Sequence, residues 1–163
     1  MFDIKRANQK VVSVIPLIMR RVNHYAPKAV QVRVLSLALN QFFQQECRSG
    51  ELDFLLNKSV VIEVTDYQLA FGISLVDKRL QVSLPAQKQD SLIKASSVDF
   101  LQMITNQVDP DTLFFRRKLV ILGDTELGLE CKNLLDSIGL ERLPKPIIEG
   151  LHWLTAHQVA EQL

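Results

Sequence analysis

Residues 109–139 read DPDTLFFRRKLVILGDTELGLECKNLLDSIG, and the punctuation of this stretch decides the fold. Asp109-Pro110 predicts a helix start, because proline in the first helical turn forfeits no hydrogen bond and the aspartate before it caps free amides. Lys118 to Leu122 is a continuous apolar run of strand length, closed by Gly123. Asp124 or Thr125 then caps a second helix, whose apolar residues Leu127, Cys131, Leu134, Leu135 and Ile138 share one face. Gly139 is placed as its left-handed stop. The stretch holds no histidine, no serine beside a base and no paired cysteines. It offers instead an apolar surface beside three consecutive cations, Arg116, Arg117 and Lys118. That pairing suits a greasy ligand with a polar or anionic end.

Working outward, residues 28–108 supply the other half of a sheet. Val30, Val32 and Val34 alternate like a strand, but Val32, Leu35, Leu39, Phe42 and Phe43 fit a helical face better over the longer window. We therefore expect a helix of about four to five turns from Ala29 to Glu46, ending before Ser49-Gly50. Strands are expected over residues 59–65, 68–76, 80–84 and 91–95, with Glu63, Gln68, Gln81 and Ser83 alternating with apolar neighbours. Ser96 or Ser97 caps a further helix to about Asn106, with Phe100, Leu101, Ile104 and Val108 inward. The order predicts an α+β fold: a mainly antiparallel sheet of about five meandering strands, covered on one face by helices.

The chain of 163 residues fits one domain, and 47% hydrophobic content argues against disorder. Three segments are expected: a basic and apolar N-terminal arm over residues 1–27, a body over 28–143, and a C-terminal amphipathic helix over 144–163. The net charge is +1, but residues 1–33 hold seven basic residues against Asp3, a local +6 that leaves −5 for the rest. A basic end of this kind suits an anionic surface. Residues 11–19, VVSVIPLIM, lie between Lys10 and Arg20-Arg21. They are far short of the ~20 residues that span a bilayer, and Pro16 interrupts a helix. Two roles stay open for the arm: packing on its own domain, or lying in the membrane interface with Arg20 and Arg21 among headgroups, each charge contributing about 1 kcal/mol there. Cys47 and Cys131 form neither a disulfide framework nor a metal motif, and Cys131 falls in a buried stripe. No secretory signal is evident, so a cytoplasmic setting is expected, with a peripheral position at the inner membrane open.

Catalysis has little to stand on. His24, His152 and His157 make no metal-ligand pattern even with Glu149, no nucleophile lies beside a base, and the glycines at 123 and 128 lack a phosphate-loop ending. Nucleic-acid binding is disfavoured by the near-neutral balance and the scarcity of aromatics among the cations. No cofactor is expected.

The string KASSVDFLQMI (residues 94–104), followed by DPDTLFFRRKLVILGDTELGLECKNLL, resembles the sterol-carrier-protein-type-two lipid-binding domain. Together with GELDFL at residues 50–55, it is similar to the UbiT-like accessory factors of bacterial ubiquinone biosynthesis. The resemblance covers about residues 28–140. It implies a non-enzymatic protein that binds lipid in an apolar tunnel between sheet and helices, and holds isoprenoid quinone precursors for soluble hydroxylases of the UbiU–UbiV type. A cavity lined by Phe100, Ile104, Leu113, Phe114, Leu119, Ile121, Leu127, Cys131 and Leu134 would take up the apolar tail of such a precursor, and Arg116, Arg117 and Lys118 are either solvated surface charges or headgroup and membrane contacts. For each apolar residue, plain core packing is the competing reading, since core and ligand wall look alike in sequence. A general phospholipid or fatty-acid carrier and a ligand-free interaction scaffold are the competing functions.

Overall fold

The computed structural model describes residues 27–137, together with Arg142 and Lys145. The arm with Arg20 and Arg21, Gly139 and the C-terminal amphipathic segment lie outside the described residues. Helix α1 (Lys28–Phe42) and a short α2 (Gln44–Ser49) lead into three strands, β1 (Ser59–Val64), β2 (Leu69–Val76) and β3 (Arg79–Ser83). Strand β4 (Ser91–Ala95), helices α3 (Ser97–Ile104) and α4 (Pro110–Phe115), strand β5 (Val120–Gly123) and helix α5 (Thr125–Ser137) complete it.

The strands lie in the order β3-β2-β1-β4-β5. Three neighbouring pairs are antiparallel, but β1 and β4 run parallel, with Ile62 opposite Ile93. The expected meander therefore breaks between β3 and β4. The cause lies at Asp90. Its amide donates to the Ser59 carbonyl at 2.9 Å, and its carboxylate accepts from the Ser59 amide at 2.7 Å. The start of β4 is thus clipped beside the start of β1, and the two strands leave in the same direction. The Asp90 carbonyl also accepts from the Asp124 amide at 2.8 Å, drawing in the end of β5. Gly123 sits against this clip at φ +80°, where a Cβ would lie 2.5 Å from the Asp90 carbonyl oxygen, so only glycine fits.

Helix α1 takes the helical reading of its ambiguous valines, but it is interrupted at Phe43 before α2 ends on Gly50 at φ +85°. Asn40 pins it to the sheet edge. Its side-chain amide donates to the Leu80 carbonyl at 2.7 Å and its oxygen accepts from the Leu80 amide at 2.9 Å, satisfying the outer strand as a neighbouring backbone would.

The helix starts follow local capping chemistry. Ser96 accepts from the Asp99 amide at 3.1 Å, Asp109 from Asp111 at 2.9 Å, and Asp124 from Leu127 at 3.0 Å. The Leu127 amide, then the Lys58 ammonium at 3.2 Å, hold the Asp124 carboxyl below its ordinary pKa. Glycine decides how closely α5 can approach. A Cβ on Gly128 would come within 2.2 Å of Ile121 Cγ2, so the first turns of α5 press directly on β5. The solid core lies at that contact and beside it: Leu127, Leu119, Ile93 and Leu113 are all but inaccessible to solvent.

Candidate ligand-binding hollow

Alternation along the strands sends one set of side chains toward the helices. On β1 these are Val60, Ile62 and Val64, which pair across the ladder with Ile73, Phe71 and Leu69 of β2. Ile93 of β4 and Leu80 of β3 extend the same floor. Over it lie Val30, Val34, Leu35 and Leu39 of α1, Phe100, Leu101 and Ile104 of α3, and Cys131, Leu134 and Leu135 of α5. Leu52, Phe54 and Leu55, from the GELDFL turn, also contribute. The space so bounded measures about 640 Å³. That is within the ordinary range of small-molecule sites, roughly 300–1,000 Å³. Val30 and Val34 are each more than half exposed, so the space is open to solvent past α1. The expected tunnel takes, among the described residues, the form of an open apolar hollow.

Its chemistry is narrow. Gln31, Tyr67 and Ser97 are polar members of the lining, and among the described residues no acidic, basic or histidine side chain belongs to it. Among the described residues no cluster of His, Cys, Asp and Glu has the arrangement to hold a metal ion. An uncharged hydrocarbon entering such a space loses no polar contacts and gains about 0.8 kcal/mol for each methylene withdrawn from water. A charged group there would be stripped of water with nothing to replace it.

Of the residues expected to line the site, Phe100, Ile104, Cys131 and Leu134 do so. Leu113, Leu119, Ile121 and Leu127 do not: they are buried in the solid core where α4, β5 and the first turns of α5 meet. Phe114 is a surface residue, 38% exposed. Arg116, Arg117 and Lys118 are also exposed and lie outside the lining of the hollow. The floor from β1 and β2 was missed. Its signal was the strict alternation VxIxV in β1 and LxFxI in β2, which names the covered face as clearly as it names the strands.

Burial, reinforced by Glu130, pushes the Cys131 thiol up to about 12. Cys47 is raised by burial and Glu46, against a lowering by the Leu80 backbone. Since only the thiolate is nucleophilic, both resist alkylation. Iodoacetamide at pH 7.5 is expected to label Cys131 about a hundredfold more slowly in the folded protein than in guanidinium, read by peptide mass spectrometry. Equal rates would place the thiol in water and take it out of the wall.

A hollow that lacks charged side chains among the described residues, set between one face of a small α+β sheet and its helices, has the chemistry of a site for apolar molecules. The model of the SCP-2 sterol transfer family matches residues 39–136. The Escherichia coli (strain K12) protein named ubiquinone biosynthesis accessory factor UbiT is 45% identical over 121 residues, which are 74% of this chain and 69% of that one. The same figures hold for UbiT of Escherichia coli O157:H7. The solved structure titled "UbiJ-SCP2 Ubiquinone synthesis protein" superposes with a TM-score of 0.55, covering 67% of this chain and 96% of that one at 18% identity, a likeness of fold. The chain belongs to the SCP-2 sterol transfer family, in the branch typified by UbiT. The resemblance drawn from the sequence is thereby borne out.

Proposed function

We propose that this protein is a non-catalytic accessory factor of ubiquinone biosynthesis that shelters an isoprenoid quinone precursor in the hollow. The observation that carries the reading is the lining itself: about 640 Å³ bounded by aliphatic and aromatic side chains without a charge. Isoprenoid tails are uncharged and branched, and solvation by apolar walls is all that they require. The quinone ring, which bears the polar substituents, would sit toward the open side beside α1, where a hydroxylase can reach it. Soluble partners of the UbiU–UbiV type fit that role by way of the family resemblance. A tail drawn from a membrane also requires contact with one.

Native mass spectrometry of protein purified without detergent tests this directly. The expected result is one isoprenoid quinone precursor per chain, identified after solvent extraction. A stoichiometric phospholipid or fatty acid would replace the reading with that of a general carrier. Empty protein that takes up no added precursor would leave an interaction scaffold.

A further inference from the structure

The most exposed apolar side chain among the described residues, Phe115 at the end of α4, lies outside the hollow. Phe115 is 80% exposed, and Phe114 stands beside it with ring centroids 5.9 Å apart in an edge-to-face arrangement. Arg116, Arg117 and Lys118 follow without interruption, and all three are exposed. Among the described residues neither arginine makes an ion pair, while Lys118 reaches Asp99 of α3 at 3.7 Å.

We propose that residues 114–118 seat the domain on an anionic lipid bilayer, with both phenylalanine rings entering the interface and the cations lying among the headgroups. The element is rigid enough to act as a fixed wedge. It is anchored on both sides by buried leucines, Leu113 and Leu119, and the Lys118 and Leu119 amides both donate to the Leu113 carbonyl, at 2.9 and 3.1 Å. Arg117 closes the turn in the left-handed region at φ +58°, its amide donating to the Phe114 carbonyl at 3.0 Å. Asp111, one turn earlier, is tied to Lys132 of α5. These backbone bonds fix the end of α4 from which the Phe115 ring projects, with Phe114 partly exposed beside it.

Charge complementarity selects the occupant. Aromatic rings adjoining a basic cluster match the two layers of an anionic membrane surface, apolar below and negative above. Residues 114–118 also lie outside the apolar hollow, the groove that a helical or extended protein partner would use. The position of the segment is also apt. Lys118 touches the first turn of α3, the helix whose Phe100, Leu101 and Ile104 wall the hollow. Docking through this tip brings that wall to the membrane surface, which is where the proposed ligand resides; to this extent the inference rests on the function proposed above.

Vesicle co-sedimentation of the full chain provides the test, using phosphatidylcholine vesicles with and without 25% phosphatidylglycerol at 0.1 and 0.5 M salt. Phe114→Ser with Phe115→Ser is expected to lower partitioning onto anionic vesicles about tenfold. Arg116→Gln with Arg117→Gln should do the same at 0.1 M salt and much less at 0.5 M, because the counterions screen the attraction. In a Trp153→Phe background, the indole introduced by Phe115→Trp should shift to the blue on binding and be quenched by brominated lipid. Unchanged partitioning of both double variants, or an indole that stays in water on vesicles, would overturn the proposal. Binding abolished by deleting residues 1–20 but not by these changes would do so too, by moving the contact to the arm. Bound ligand is measured by native mass spectrometry in the same preparations, so loss of docking is distinguished from an empty hollow.

Discussion

Leu134→Trp and Ile62→Trp will each empty the hollow without weakening the fold. Leu134 stands on the wall from α5 and Ile62 at the centre of the floor between Phe71 and Ile93, and both are only partly buried because they face open space. A larger apolar side chain grows into that space and fills part of the volume a hydrocarbon would use. It also gains burial of its own, so the melting temperature should hold or rise. Ligand occupancy, read by native mass spectrometry, should fall about tenfold or more, since one lost contact zone of a few methylenes at about 0.8 kcal/mol each suffices. Leu127→Trp serves as the opposite case. Leu127 has no exposed surface and stands outside the lining of the hollow. Overpacking of that kind costs about 1–3 kcal/mol, or roughly 2–10 °C of melting temperature, and leaves occupancy per folded molecule unchanged. Were Leu127→Trp to empty the protein and Leu134→Trp to leave it loaded, the ligand would have to lie between α5 and β5.

That contrast also marks how far the sequence can be read. The caps at Ser96, Asp109 and Asp124, and the stop at Gly123, are legible because they act through bonds spanning two or three residues. The covered face of the sheet is legible for the same reason, being written in the alternation of neighbours. What escapes local reading is the distance between elements. Leu127 and Cys131 are one helical turn apart on the same face of α5, yet the first is solid core and the second walls the hollow. The difference comes from Gly128, which lets the start of the helix touch Ile121, while farther along Cys131, Leu134 and Leu135 line the hollow. A glycine inside a helix costs it about 1 kcal/mol relative to alanine. Its presence was the available hint of a close approach. The parallel pairing of β1 with β4 was equally hidden, because it depends on where the connection after β3 delivers Asp90, and a run of apolar residues carries no direction.

Arg142→Ala should unfold the protein far more readily than any surface change. Glu46, on α2, has a carboxylate only 3% exposed, and one of its oxygens accepts from the Arg142 guanidinium, which also reaches Gln45 at 3.2 Å. The second oxygen, Oε2, has no hydrogen-bond partner among the described residues. Among the described residues the cation that faces this buried carboxylate is Arg142. Removing it leaves an uncompensated buried carboxylate, a change that costs about 3–5 kcal/mol. The loss should appear as a lowered urea midpoint with an unchanged slope. Replacing both partners, Glu46→Leu with Arg142→Leu, should recover most of it, because the charge that needed a partner has gone. The pair joins residues 96 apart and holds the chain beyond α5 against the helix that begins just after Phe43, a lining residue. The single variant should therefore lose ligand as well as stability. An Arg142→Ala protein within about 0.5 kcal/mol of the parent would mean that water reaches Glu46, and that the α2 end of the hollow is held by Phe43, Leu52 and Leu55 alone.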